Sequence, residues 1–277
     1  MITKLIPATE GQWVDFRDTG KPLSWYQAVK AHGVVGVFID SATGGYRADV
    51  GYALQAGLEV QLFQGYYDAM WDSVSTATSQ GHRMVTAAQY VNSPHGMTCW
   101  LDAEGMPSGM SGTAWLDWVN AWSQIVNRAG YNCGIYLNGP YPVTSAQLYT
   151  DLPYIHHYWH GISSMTPAVA VRGYTVSQHQ VNVGLDGHVV DWDTTYPDNL
   201  HQLPFAIVDD TGSQSSTPPT TATPTGTTAT DLSREVATLQ KAVVALNTQV
   251  QGHGQALTAI QGALTDLVKA VTTIKLP

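Results

Sequence analysis

The chain has 277 residues, 44% of them hydrophobic, and a formal net charge of −9. This length, with nine Trp and fourteen Tyr, is enough to bury a large core. The acidic balance argues against a protein that binds nucleic-acid phosphates, and no apolar stretch of about 20 residues predicts a membrane span. We therefore expect neither nucleic acid nor membrane as a partner. The first residues lack the apolar stretch of a signal peptide, so no leader is predicted.

Residues 1–210 alternate between predicted strands and helices. The patterns predict eight strands, at residues 12–16, 34–39, 58–63, 97–104, 133–138, 156–159, 174–179 and 188–192. Helices are predicted between the earlier strands, at residues 23–32, 46–55, 72–91, 111–129 and 145–150. Eight strands in alternation with helices predict an α/β fold, a (β/α)8 TIM-type barrel. An open doubly wound sheet is the alternative, but no Gly-rich phosphate loop follows the first strand.

The sequence after residue 210 divides into two segments of different composition. Residues 211–230 carry no charge and no apolar side chain larger than Ala, so they predict a Thr/Pro/Ser-rich linker. In residues 231–277, seam positions separated by alternating steps of four and three predict a long α-helical coiled coil. Val and Leu in that seam allow a dimer, but flanking Ala residues widen the apolar face and favour a homotrimer. His253, between two glycines, is a weak point in the middle of the seam.

The cysteines, histidines and serines do not form recognisable catalytic or metal-binding motifs. Cys99 and Cys133 fit no metal spacing, so we expect buried free thiols, with a single disulfide as the alternative if they lie on neighbouring strands. No histidine forms a His-x-x-x-His pair on a predicted helix, and no Gly-x-Ser-x-Gly elbow is present. We expect no metal and no cofactor. The tryptophans at helical spacing in residues 111–129 predict packing rather than ligand contact.

The stretch that ends the fourth predicted strand, Leu101-Asp102-Ala103-Glu104, places two acids two residues apart. Alternate side chains of a strand share a face, so both carboxyls should point to one side. Two such groups are costly in a core but suit a cleft at a strand end. In a barrel the carboxyl ends of the strands converge on one site.

Polar and aromatic residues lie at or just beyond the ends of the other strands as well. They are Asp15, Tyr66, Tyr67, Tyr136, Asn138, Trp159, Gln178, Asp191 and Asp193. Carboxylates with aromatic rings are the groups that glycoside hydrolysis uses, as acid, as base or stabiliser, and as stacking surface for sugars. A metal site is the rival interpretation, because the same carboxylates and nearby histidines are also ligands.

The spaced motifs together resemble those of family 25 glycoside hydrolases, the cell-wall muramidases of phages and bacteria. The motifs are an Asp on the first strand, Asp-x-Glu on the fourth, Ile-Tyr-x-Asn on the fifth, Trp on the sixth, Gln on the seventh and Val-Asp-x-(Asn/Asp) on the eighth. The chain equally resembles a related glycoside-hydrolase-like domain of unknown function in actinobacteria and actinophages, through residues 57–67 and the Gln-His of the seventh strand.

This resemblance implies a role for each matching residue. Glu104 would be the general acid and Asp102 a group that orients or stabilises, with Asp15 and Asp191 completing the acidic cleft. The implied sugar-binding residues are Tyr66, Tyr67, Tyr136, Asn138, Trp159, Gln178 and Asp193. The muramidase first strand reads Asp-Val-Ser, whereas here Phe16 and Arg17 follow Asp15. Arg17 is expected to pair with a carboxylate and hold it ionised.

The sequence therefore predicts a barrel at residues 1–210, a linker at 211–230 and an oligomerisation segment at 231–277. We expect a glycosidase of peptidoglycan, carried on a stalk in a phage tail or tail fibre and in contact with other virion proteins. The alternative is a catalytically inactive glycan-binding or structural tail protein that uses the same cleft.

Overall fold

The computed structural model describes residues 3–42, 45–65, 71, 73–107 and 109–210. The predicted linker and coiled coil, residues 211–277, lie outside the described residues, as do Tyr66 and Tyr67. No helix within the described ranges is long and apolar enough to cross a membrane.

Most of the described strands and helices lie within a few residues of the predicted positions. In chain order they are β1 (Thr3–Pro7), β2 (Gly11–Phe16), α1 (Leu23–Ala31), β3 (Gly36–Asp40), α2 (Tyr46–Gln55), β4 (Glu59–Gln64), α3 (Val74–Tyr90), β5 (Thr98–Asp102), α4 (Gly112–Arg128), β6 (Asn132–Leu137), α5 (Ser145–Thr150), β7 (Ile155–His160), β8 (Val176–Leu185), β9 (His188–Thr195) and β10 (Phe205–Asp209).

Strands β2 to β9 close into an eight-stranded barrel, in the order β4-β3-β2-β9-β8-β7-β6-β5 with β5 paired back onto β4. The predicted eight-stranded α/β barrel is confirmed, but its uniform strand–helix repeat is not. Helices α1 to α5 follow β2 to β6, whereas β7, β8 and β9 succeed one another with no helix between them in the described chain. The strands β2 to β8 are parallel, and β9 is antiparallel to both of its neighbours.

The reversal of β9 has a local cause. Leu185 pairs with His188, so Asp186 and Gly187 form a two-residue turn between β8 and β9. Both turn residues have positive φ, 46° and 83°. An Asp-Gly pair is favoured in such a turn, and a two-residue turn joins only antiparallel strands. The last barrel strand is therefore a hairpin partner rather than the end of another strand–helix unit.

Strands β1 and β10 were not predicted from the sequence and lie outside the barrel. They pair with each other along five residues, from Thr3 opposite Asp209 to Pro7 opposite Phe205. Strand β10 joins the barrel through Ile207 opposite Val60 on β4. The two strands extend the sheet beyond the barrel wall at that point.

The core has an outer layer between barrel and helices and an inner layer inside the barrel. The tryptophans of α4 are buried in the outer layer, which confirms their predicted packing role. Inside the barrel, Trp13, Phe38, Trp100 and Trp159 are at most 2% exposed, and we call these four residues the aromatic plug. Its rings are in contact, with centroids 4.9 Å apart for Trp13 and Phe38 and 4.3 Å apart for Phe38 and Trp159.

Glycine on neighbouring strands makes room for the aromatic plug. A Cβ at Gly134 would lie 2.3 Å from the ring of Trp100, and one at Gly36 would lie 2.5 Å from the ring of Trp13. Cys99 and Cys133 are opposite each other on β5 and β6, and both are buried free thiols, as expected.

Candidate functional site

A cavity of about 230 Å³ opens at the barrel mouth, above the aromatic plug, where the parallel strands end. Its lining includes many of the predicted site residues: Asp15, Asp102, Glu104, Tyr136, Trp159, Gln178 and Asp191. The eight strands thus bring side chains that are up to 176 residues apart in sequence, Asp15 and Asp191, into one site. Tyr136 and Trp159 are only 8% and 2% exposed, so their rings form the floor rather than a free stacking surface.

Glu104 stands at the edge of this cavity and differs from its predicted place on the strand. Strand β5 ends at Asp102, and Glu104 lies in the turn that follows. The backbone N–H of Glu104 donates to Asp102 Oδ1 at 2.9 Å, so the first acid holds the turn that carries the second. Asp102 is buried, whereas Glu104 is partly exposed.

Asn138, which follows β6, orients Glu104. Its Nδ2 donates to Glu104 Oε1 at 2.6 Å, and its own Oδ1 accepts from the backbone N–H of Ser163 at 2.9 Å. Asn138 and Glu104 also line a second cavity of about 360 Å³, together with Met106 and Tyr141. Glu104 therefore faces two neighbouring cavities, with one carboxylate oxygen fixed by an amide.

Gln178 on β8 connects the acids on the other side of the mouth. Its Nε2 donates to Asp15 Oδ2 at 3.0 Å and to Asp191 Oδ2 at 3.2 Å. Its Oε1 accepts from the hydroxyl of Tyr136 at 2.9 Å, which fixes the orientation of the amide. The second oxygen of Asp191 accepts from the backbone N–H of Asn182 at 2.6 Å.

Asp193 does not line the cavity, although the sequence predicts a substrate contact. It is fully buried on β9, where its Oδ1 accepts from the indole N–H of Trp159 at 2.7 Å. The side chain therefore holds Trp159, which forms part of the cavity floor, without lining the cavity itself.

Burial makes every acid of the site harder to ionise. It raises the pKa of Asp102 to about 8, with the nearby charge of Glu104 adding to the effect. It raises the pKa of Asp15 to about 7, helped by the charge of Asp191. The pKa values of Glu104 and Asp191 are also raised by burial, although hydrogen bonds from Asn138 and from the Asn182 backbone oppose the rise. Such a cavity can hold carboxylic acids and carboxylates together near neutral pH.

Arg17 lines the same cavity and supplies a positive charge. Its ion pair is with Asp40, at 3.9 Å between Nε and Oδ2, and its side chain is 60% exposed. The guanidinium also lowers the pKa values of Asp102 and Glu104, but as a smaller effect than the burial that raises them. The expected pairing with a carboxylate is therefore seen, and the partner is Asp40. Arg17 does not hold that group in its ionised form, because burial raises the pKa of Asp40 more than Arg17 lowers it.

The sequence interpretation missed several residues of the cavity wall: Phe63, Asp18, Asn182, Val189 and Val190. Three of them belong to the β8–β9 hairpin, and the Asp-Gly turn was the feature that could have revealed it. Among the residues that the structure describes, no group of three or more His, Cys, Asp or Glu side chains could hold a metal ion.

No protein-family model matches the chain, and no curated protein matches it. Several solved structures share its fold. The Tat-secreted protein Rv2525c of Mycobacterium tuberculosis, in complex with L-tartrate, superposes with a TM-score of 0.53 at 13% identity, over 70% of this chain and 99% of that one. An uncharacterized B. stearothermophilus protein gives 0.52 at 13% identity, over 66% and 95%.

The modular autolysin LytC of Streptococcus pneumoniae, in complex with a synthetic peptidoglycan ligand, gives a TM-score of 0.50 at 14% identity. The match covers 67% of this chain and 46% of that one. At these identities the similarity establishes a shared barrel fold.

Proposed function

We propose that the barrel is a glycoside hydrolase that cleaves the glycan strands of bacterial peptidoglycan. The observation that carries this proposal is the cavity in which Glu104 meets Asp15, Asp102 and Asp191. Hydrolysis of a glycosidic bond needs one carboxylic acid that protonates the leaving oxygen. It also needs one carboxylate that stabilises the charge developing on the sugar or activates the attacking water.

Glu104 is the proposed general acid. Its Oε1 is occupied by the Asn138 amide, so Oε2 is the oxygen that would carry the transferable proton. Its position between two cavities would let the sugars on either side of the cleaved bond lie in separate spaces. Asp102 is the proposed orienting group, because it holds the backbone of Glu104 and remains buried.

Asp191 is the proposed stabiliser of the positive charge that develops on the reacting sugar. It is partly exposed to the cavity, and hydrogen bonds from Gln178 and the Asn182 backbone favour its ionised form. Asp15 completes the acidic wall. The choice of peptidoglycan is supported by LytC, which has the same fold and was solved with a synthetic peptidoglycan ligand.

We further propose that residues 211–230 are a linker and residues 231–277 a trimeric coiled coil that attaches the barrel to a phage tail or tail fibre. The alternating four-and-three spacing of apolar residues supports this part of the proposal. Other virion proteins and host cell-wall glycan would then be its partners.

The second candidate is a module that binds glycan through the same cavity without cleaving it. The observation in its favour is that Arg17 and Asn138 both oppose the burial that raises the pKa of Glu104. If these groups keep Glu104 ionised at the working pH, the site binds sugar but has no proton to donate.

The test is release of reducing ends from purified actinobacterial cell wall by the wild type, Glu104→Gln and Glu10→Gln. Gln at 104 can still accept the Asn138 hydrogen bond but has no acidic proton to transfer, and exposed Glu10 is a matched control. We expect Glu104→Gln to lose at least about 100-fold in rate and Glu10→Gln to match the wild type. Equal background release by all three, with cell-wall binding retained, would establish the second candidate instead.

A further inference from the structure

Asp193 is a buried acid that has no role in the proposed reaction, and one of its oxygens lacks a hydrogen-bond partner. It is fully buried on β9, and its Oδ1 accepts from Trp159 Nε1 at 2.7 Å. Its Oδ2 is also buried, and no N–H or O–H donor of the described residues reaches it. A buried carboxylate oxygen without a donor is costly, so this atom requires a partner.

The carboxyl group of Asp15 lies close enough to that of Asp193 for the two to hydrogen-bond. In the antiparallel β2–β9 pair, Asp15 lies opposite Asp191 and Trp13 lies opposite Asp193. The side chains of Asp15 and Asp193 are therefore diagonal neighbours on the inner face of the barrel. Asp15 Oδ2 already accepts from Gln178, and two ionised carboxylates would offer each other acceptors only.

We propose that Asp15 and Asp193 share one proton across the β2–β9 pair, and that Asp193 is a buried positioning acid that holds Asp15 and Trp159 in place beneath the cavity. With the proton on Asp193, its carboxyl donates to Asp15 and accepts from Trp159. The buried carboxyl oxygen of Asp193 that lacks a partner is then satisfied, and the pair contributes one negative charge to the cavity instead of two.

The surroundings favour retention of this proton. Burial is the main cause that raises the pKa of both groups, that of Asp193 well above its usual range. The charged groups that face them are further acids: Asp191 on the same strand as Asp193, Glu104 after β5, and Asp102 at the end of β5. Tyr136 on β6 is neutral, because burial and the nearby charges of Glu104, Asp15 and Asp102 raise its pKa. The cation of the cavity, Arg17, lies at its exposed edge and pairs with Asp40.

The shared proton can be tested by measurements that need no turnover, so its absence can be distinguished from a lack of hydrolase activity. The full-length chain is compared with Asp193→Asn, Asp193→Leu and Asp117→Asn. Asn keeps both contacts without a titratable proton, because its Oδ1 accepts from Trp159 and its Nδ2 donates to Asp15. Leu removes both contacts, and Asp117 is an exposed aspartate on α4 that serves as control.

Infrared spectra at pH 7 give the first measurement, through the C=O stretch of neutral carboxylic acids. We expect Asp193→Asn to lose the signal of one neutral carboxyl per chain relative to the wild type, and Asp117→Asn to lose none. Asp15→Asn provides a second variant, in which the amide donates to Asp193 and the same signal is lost. An unchanged neutral-acid signal in both site variants would overturn the proposal.

The pH dependence of the thermal midpoint gives the second measurement. The folded pair keeps a proton that the unfolded chain releases above about pH 4, so the wild type loses stability as pH rises. Asp193→Asn lacks this loss, and its midpoint should exceed that of the wild type by a gap that widens from pH 4 to pH 8. Asp193→Leu should unfold at a lower temperature than Asp193→Asn at every pH. Parallel curves for the wild type and Asp193→Asn would contradict proton sharing.

Discussion

Replacement of Asp102 by Asn should make the protein more stable, although it removes an acid of the proposed active site. Asn has nearly the same shape, and its Oδ1 can still accept the backbone N–H of Glu104. What the substitution removes is the free energy of keeping a buried carboxyl protonated. Proteins often sacrifice stability in this way at sites whose groups are placed for chemistry.

The size of the effect follows from the pKa of Asp102, raised by burial from 3.8 to about 8. Between these two values the folded protein holds a proton that the unfolded chain has released. Stability therefore falls by about 1.4 kcal/mol for each pH unit across that window, and by about 4 kcal/mol in all at pH 7. We expect Asp102→Asn to recover about 2–4 kcal/mol at pH 7 and almost nothing near pH 4.

Urea unfolding followed by tryptophan fluorescence measures this gain, at several pH values between about 4 and 8. Asp117→Asn is the control for removal of a carboxylate, because Asp117 is exposed on α4. A stability difference between Asp102→Asn and the wild type that stays constant across this range would refute the argument. So would a variant that is less stable than the wild type at pH 7.

Three further predictions concern the core, the cavity charge and the oligomer. Gly134→Ala places a Cβ against the ring of Trp100 and should destabilise the protein by about 1–3 kcal/mol. Gly184→Ala is the control, because its Cβ would lie in open space and should change stability little. Equal effects of the two substitutions in urea unfolding would contradict this prediction. Arg17→Gln should raise the pKa of Glu104 and move the alkaline limb of the pH–activity profile upward, by under about one unit because Arg17 is largely exposed. A downward shift would be the wrong sign. In sedimentation the full chain should form a trimer and residues 1–210 a monomer, and a monomeric full chain would exclude the coiled coil.

Local sequence patterns were sufficient to place most elements of the barrel. Helices α2 and α5 begin and end at the predicted residues, because apolar spacing marks the first and a Thr144 capping box precedes the second. The parallel strands were found because their two-sided burial leaves continuous apolar runs. Asp15, Asp102, Glu104 and Asp191 could be grouped because strand ends in a barrel converge.

Strand direction and depth of burial were not available from the same patterns. The direction of β9 depends on a two-residue turn, and β1 and β10 are stabilised by pairing with each other across about 200 residues of sequence. Asp193 was expected to contact substrate because it lies near a strand end, but alternation along β9 gives no measure of how deep a side chain lies. The hydrogen bond between Asp193 and Trp159 could be recognised only in the folded barrel, where the two strands that carry them come close together.

The aromatic plug has a consequence for how a long polymer can enter the site. Trp13, Phe38, Trp100 and Trp159 fill the barrel axis below the cavity, so the barrel has a mouth but no exit. A polymer therefore cannot pass through the barrel from one end to the other, as it could through a pore. Any polymer that reaches Glu104 must either lie across the mouth, with both of its ends free in solvent, or terminate within a space of about 230 Å³.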